Sequence, residues 1–276
     1  MRKVFFQTLE EFAKEDKSIF LLVADLGVKF FTNFKNIDPK RFINVGVAEA
    51  NMIGIGAGLS MSGKNVYCYS IIPFLTMRTF EQIRIDLCYN NLNVKLLGAG
   101  GGLVYGVEGV THHAIEDIGI LRSLPNMTLV APGDAKEAEA LARASINHRG
   151  PLYVRFGRDL DPIIHQKDFN FEIGKGIIVN YGRDVCLMAT GTMLYPAKQV
   201  LDNLTKQGLN PTLISFHTIK PLDVELIKDC AKNYGTIFTL EEHNIIGGLG
   251  SAVAEVLVEN KYGGIFRRIG IPDKYS

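Results

Sequence analysis

Four segments of the 276-residue chain hold residues whose type and spacing suit chemistry. In GVAEANMIGIGAGLS (46–60), Glu49 follows a strand-like run and opens an apolar helix that carries Gly54, Gly56 and Gly58. A carboxylate there either favours the helix N-terminus through the helix dipole or serves a buried site. The small residues allow close approach by another helix or a subunit. In GAGGGLVYGVEGVTHHAIED (98–117), a glycine-rich loop after a strand carries Glu108, His112 and His113. No Lys-Ser/Thr pair follows and the GxGxxG spacing is absent, so nucleotide binding is a weak reading. A metal site made of histidines is not expected, because adjacent histidines diverge and no HExxH occurs. Two histidines and a carboxylate on such a loop suit polar contacts and proton transfer.

In IIPFLTMRTFEQIR (71–84), Phe74 and Phe80 accompany Met77, Arg78 and Arg84. The aromatic pair is either core or, at a strand end, a face on which a heterocycle stacks. The EEHN of 241–244 precedes Gly247-Gly248-Leu249-Gly250, which opens a helix whose free N–H groups suit an anion or a domain contact. No Ser-His-Asp or Cys-His nucleophile arrangement is present.

These residues need a scaffold, and the apolar pattern supplies one. Strand-like runs fall at 19–24, 42–45, 66–70, 94–98, 127–131 and 152–156, with helix-period stretches near 2–16, 49–62, 77–90, 115–122 and 134–147 between them. Asp134 is placed to cap the last of these helices. From Asp159 to about Asp184 the pattern is polar and irregular; then DVCLMAT, PTLIS, TIFTLE and IFRRIG alternate with helices at 194–207, 223–233 and 249–260. Short apolar strands alternating with helices predict an α/β protein of two open, doubly wound domains, mainly parallel sheets with helices on both faces. The expected bounds are a first domain over 1–160, a linker over 161–180 and a second domain over 181–276. Sites in such sheets lie at the carboxyl ends of strands.

Composition narrows the partners. Net charge is +1, and 47% of residues are hydrophobic, so neither nucleic acid nor an acidic membrane is expected as a partner. No window approaches the roughly 18 apolar residues of a membrane span. Cys68, Cys88, Cys186 and Cys230 lack CxxC spacing and sit in apolar segments, which predicts buried reduced thiols and a cytoplasmic location.

Taken together, VADLG (23–27), the 46–60 segment, FEQIR (80–84), the run 106–140, RFGR (155–158) and EEHNIIGGLGSAVAE (241–255) resemble the C-terminal half of transketolase over nearly the whole chain. The resemblance implies a pyrimidine-binding domain followed by a C-terminal domain, with thiamine diphosphate held between two chains. It places Glu49 against a ring nitrogen of the aminopyrimidine, where the carboxylate must hold or share a proton in an apolar site. It places Phe74 on the face of that ring, Asp25 near the thiazolium, and Met77 and Arg78 beside the cofactor. Glu108 and His112 match donor-binding residues, His112 a catalytic one, and Arg2 and Arg158 match the arginines that hold the substrate phosphate.

Several positions depart from the family. Gly100 stands where classical transketolases carry a histidine, Lys29 where a serine assists phosphate binding, and Glu108 where an aspartate is usual. The family's GDG and later Asn, which hold the diphosphate and Mg2+, are absent from this chain. The resemblance therefore implies a split enzyme: the metal is held by a separate N-terminal subunit, and two copies of each chain form a heterotetramer acting on sugar phosphates. The last strand-like run ends near Ser276, so an apolar face of the second domain is expected to be open. Other readings of the same motifs are a 1-deoxyxylulose-5-phosphate synthase, a 2-oxoacid dehydrogenase beta subunit, or a non-catalytic interface subunit.

Overall fold

Strands made almost wholly of apolar residues must be covered on both faces, and the helices between them do that. In the computed structural model, which describes residues 1–27, 30–157 and 162–275, the chain begins with α1 (Arg2–Glu15), β1 (Ile19–Val23), α2 (Thr32–Ile37), β2 (Phe42–Asn44), α3 (Glu49–Met61) and β3 (Asn65–Ile71). It continues with α4 (Ile72–Thr76), α5 (Phe80–Gln82), a π-helical stretch (Ile83–Tyr89), β4 (Val94–Ala99), α6 (Asp117–Arg122), β5 (Thr128–Val130), α7 (Ala135–Asn147) and β6 (Leu152–Phe156). Alternate strand residues face opposite layers. Leu22, Cys68 and Leu96 join Met52, Leu75 and Leu121 on one side, while Leu21, Val23 and Leu97 join Phe5, Leu9 and Leu141 on the other.

The second half contributes β7 (Ile177–Asn180), β8 (Cys186–Ala189), α8 (Leu194–Lys206), β9 (Thr212–Ser215), β10 (Thr218–Lys220), α9 (Val224–Asn233), β11 (Thr236–Asn244), α10 (Leu249–Glu259) and β12 (Ile265–Ile271). The sheets run β10-β5-β6-β4-β3-β1-β2 and β12-β11-β8-β9-β7, parallel except where β10 meets β5 and β7 meets β9. The expected α/β architecture is present.

Four local expectations are corrected. The segment read as an irregular linker contains β7, an edge strand paired with β9 through Ile178 and Ile214. β10, also unexpected, leaves the second half and pairs with Leu129 and Val130, which covers an edge of the first sheet. The helix expected over 77–90 instead begins at Ile72, because Pro73 fits a first helical turn, and it breaks at Met77 before resuming at Phe80. The helix expected from 115 starts at Asp117, since Ala114 is paired with Gly102. Asp134 does cap α7, its carboxylate accepting from the Glu137 N–H.

All four cysteines are free and buried. Burial pushes the Cys88 thiol up to about 11. Among the described residues no helix is long and apolar enough to cross a membrane. Ile265 and Ile269 of the edge strand β12 are exposed.

At the end of the sheet away from the carboxyl ends, Lys95 is fully buried. Its ammonium donates to Asn65 Oδ1 at 2.6 Å and to the His148 carbonyl at 3.2 Å, with Asn93 Oδ1 closing the cage. Desolvation, helped by the Arg149 charge, pushes its pKa down to about 7. The unfolded chain therefore holds a proton that the folded chain releases between about pH 7 and the ordinary lysine range near 10.4. The lysine's contribution to stability is complete above that window and is lost as pH falls through about 7. Melting curves of wild type and Lys95→Met should diverge with pH: wild type gains several degrees relative to the variant between about pH 7 and 10.

Candidate active site

The loops that follow β1, β2, β3 and β4 meet at the carboxyl ends of these strands, where the chain reverses direction across the sheet. Asn44 ties two of them together. Its Oδ1 accepts from the backbone N–H groups of Asp25 and Gly46, both at 3.0 Å, and its Nδ2 donates to Asp25 Oδ1 at 3.1 Å. Gly46 has φ +75°, a left-handed turn that glycine makes without strain and that brings the chain into α3.

Glu49 is the first residue of that helix and is only 2% exposed. Its Oε2 accepts from Arg78 Nη1 at 2.9 Å, and Oε1 accepts from Ser70 Oγ at a longer 3.4 Å. The Arg78 side chain is half exposed, so it is a partner that an incoming ligand can displace. The same guanidinium lies 4.5 Å from the centre of the Phe74 ring. Phe74 in turn meets the edge of His112 at 5.0 Å between ring centres, and Tyr105 meets His112 at 5.8 Å. Glu49, which the sequence allows as either a helix-dipole residue or a buried acid, is buried and paired. Phe74 is half-buried beside His112 rather than sealed in the core.

His112 stands on a loop that is a small structure of its own. Its Nδ1 is 2.9 Å from Thr111 Oγ1, and the adjacent His113 is buried, with Nε2 3.0 Å from the Gly106 carbonyl. Glu108 lies exposed on the turn Gly106–Glu108. Val107 and Val110 beside it are exposed as well. At Gly100, φ is +87° and an added methyl would lie 2.0 Å from Tyr105 Cε2. The Tyr105 ring fills the space into which a side chain at position 100 would project.

The other expected residues divide. Asp25 is exposed at φ +52°, fixed by Asn44, and Met77 is exposed at the turn after α4. Arg2 donates through Nη1 to Tyr69 Oη at 2.9 Å and lies 5.7 Å from the Phe30 ring centre, so the packing of α1 on β3 engages it. Lys29 and Arg158 lie outside the described residues. The N–H groups of α10 that the sequence offered to an anion are taken by Glu241, which accepts from Leu249 at 2.7 Å and Gly250 at 2.8 Å. Burial, only partly offset by these bonds, pushes that carboxyl up to about 7.

Asn44, Ser70 and Tyr105 were missed in the sequence. Asn44 and Ser70 carry only the weak signal of a polar residue ending an apolar strand. Tyr105 gives none, because its position over Gly100 depends on the loop's path.

A buried carboxylate, a half-buried aromatic ring and a histidine between two rings lie together at the carboxyl ends of the first sheet's strands, groups of the kind a flat, nitrogen-bearing heterocycle needs. The acid and the aromatic fit the pyrimidine ring of thiamine diphosphate. Residues 1–162 match the pyrimidine-binding domain of transketolase and residues 174–276 its C-terminal domain. The chain belongs to the transketolase family. It is 39% identical over 275 residues to an apulose-4-phosphate transketolase subunit of Phocaeicola vulgatus, covering 99% of this chain and 88% of that one. It is 36% identical to a 6-deoxy-6-sulfo-D-fructose transketolase subunit of a Clostridium species, covering 100% of this chain and 86% of the relative. A solved split-gene transketolase, described as an inactive beta4 tetramer, superposes with TM-score 0.90 at 37% identity, over 99% of this chain and 89% of that one. The 1-deoxy-D-xylulose-5-phosphate synthase of Crocosphaera subtropica is 36% identical over 99% of this chain but only 43% of its own length.

Proposed function

We propose that this chain is the C-terminal subunit of a split, thiamine diphosphate-dependent transketolase that moves a two-carbon ketol unit between sugar phosphates. The observation that carries the reading is the buried Glu49, linked through Arg78 to Phe74 and so to His112, in a chain that aligns nearly end to end with transketolase subunits. A separate N-terminal subunit holds the diphosphate through Mg2+, and two copies of each chain assemble as a heterotetramer. The exposed Val107 and Val110, on the loop that carries His112, suit burial under that partner. Four buried free thiols fit a reducing compartment, the cytoplasm.

When bound, thiamine diphosphate supplies a nucleophilic carbon and an electron sink for carbon–carbon cleavage. This chain's residues do the rest. Glu49 holds a proton against the pyrimidine nitrogen, Phe74 offers a ring face, and Arg78 moves off the carboxylate when the heterocycle arrives. Asp25 and Met77 border the cofactor. Glu108 and His112 bind the ketose donor, with His112 exchanging a proton with a sugar hydroxyl. Arg2, Arg158 and Lys29 hold the substrate phosphate. Tyr105 occupies the place left by Gly100, so a donor bound beside His112 would meet a phenol ring there.

A mixing experiment tests the proposal. Xylulose 5-phosphate or fructose 6-phosphate with an aldose phosphate acceptor should be turned over only when this chain and its N-terminal partner are both present. Thiamine diphosphate binding should follow the same rule. Full turnover by this chain alone, or decarboxylation of pyruvate in place of ketol transfer, would overturn it.

A further inference from the structure

The loop that carries Glu108 and His112 stands on a narrow neck. Gly102 and Ala114 close it by exchanging N–H···O bonds of 2.8 and 2.9 Å. Above the neck, short turns and the His113 contact with Gly106 keep the tip together. Where the neck sits therefore sets where His112 stands relative to Phe74. The neck is gripped from the second half of the chain. Glu242, on β11, accepts from the Leu103 N–H at 3.0 Å through Oε1 and from Thr192 Oγ1 at 2.6 Å through Oε2. Arg155 Nη2 donates both to the Ala114 carbonyl at 2.7 Å and to the Glu242 carbonyl at 2.9 Å. Asn244 N–H, two residues on, donates to the Ile115 carbonyl at 2.8 Å. Gly102 has φ +73°, and an added methyl would lie 2.3 Å from Glu242 Cδ; the carboxylate rests directly on loop backbone.

We propose that Glu242 is a positioning residue through which the second domain holds the donor-binding loop in place. It touches neither cofactor nor substrate. Its carboxylate takes one hydrogen bond from each side, the loop backbone and Thr192 at the end of the second sheet, and so ties loop placement to the second domain. The inference rests on the proposed reading of the loop as donor-binding, while the clamp itself can be measured without turnover.

Hydrogen exchange of the intact chain and kinetics of the reconstituted two-chain enzyme with fructose 6-phosphate as donor form the test. Glu242→Ala should speed exchange of amides between Leu103 and His113 by about 10-fold or more, and raise the donor KM by about 10-fold with kcat changed far less. Glu242→Gln should restore both, because its amide oxygen can accept from Leu103 while the Thr192 hydroxyl turns to accept the amide N–H. Thr192→Val, which leaves the first domain untouched, should move both readings part of the way. Unchanged exchange and KM in Glu242→Ala would overturn the clamp, as would a lower Tm with an unaltered KM. Should the wild-type pair act on no ketose phosphate, the donor reading fails, and the exchange result still decides whether Glu242 holds the loop.

Discussion

Glu49→Gln should lower turnover of the reconstituted enzyme by about 100- to 10,000-fold, the range expected when a positioned acid–base group is lost. The substitution keeps the size of the side chain and an oxygen that can accept from Arg78 at the 2.9 Å position, so assembly and folding should be unaffected. What it removes is the exchangeable proton. An amide cannot pass a proton to a ring nitrogen, whereas a carboxyl enclosed beneath α3 and β3 can, with little competition from water at 2% exposure. Steady-state assays with xylulose 5-phosphate should show kcat falling far more than the donor KM changes, since the role proposed for Glu49 is toward the pyrimidine and not the sugar. Analytical ultracentrifugation should find the same assembly as wild type. A variant retaining more than a tenth of wild-type turnover would remove Glu49 from the proton path.

The sequence made the acid visible and hid its surroundings. Glu49 stood out because a carboxylate opening an apolar, glycine-rich helix is unusual, and the resemblance over nearly the full chain gave it a role. The two-sheet architecture was equally legible, since apolar strands and amphipathic helices alternate with clear periods. Arg78 was visible as a neighbour of the aromatic residues and, through the resemblance, of the cofactor, but not as a partner of Glu49. That it pairs with Glu49 depends on α4 starting at Ile72, five residues before the expected helix, which turns the two side chains toward each other. β10 was illegible for another reason. Three residues carry too little pattern to announce a strand, and its partner lies some 90 residues back, at Leu129 and Val130. The Glu242 clamp shows the same limit: EEHN was legible as a domain contact, but its target, the Leu103 N–H, is a backbone group that no side-chain motif marks.

The largest loss of stability should come from Arg155→Met. Arg155 and Asp117 form an ion pair at 2.8 Å with both side chains shut off from water, and Tyr153 donates to the same Asp117 oxygen at 2.6 Å. Asp117 Oδ1 has no hydrogen-bond partner among the described residues, so the carboxylate's charge leans on the guanidinium. Removing the cation strands a buried anion, at a cost of about 3–5 kcal/mol, because the desolvation of Asp117 remains while the attraction that offset it is gone. For a chain of this size that corresponds to a fall in Tm of roughly 5–9 °C. The charge is the cause, and so a second substitution should relieve it. Asp117→Asn added to Arg155→Met removes the stranded anion yet leaves an oxygen for Tyr153, and the double variant should melt above the single one despite carrying more changes. If the double variant melts no higher than the single, the loss comes from Arg155's bonds to the Ala114 and Glu242 carbonyls instead, and the guanidinium matters as a brace for the loop rather than as a counter-ion.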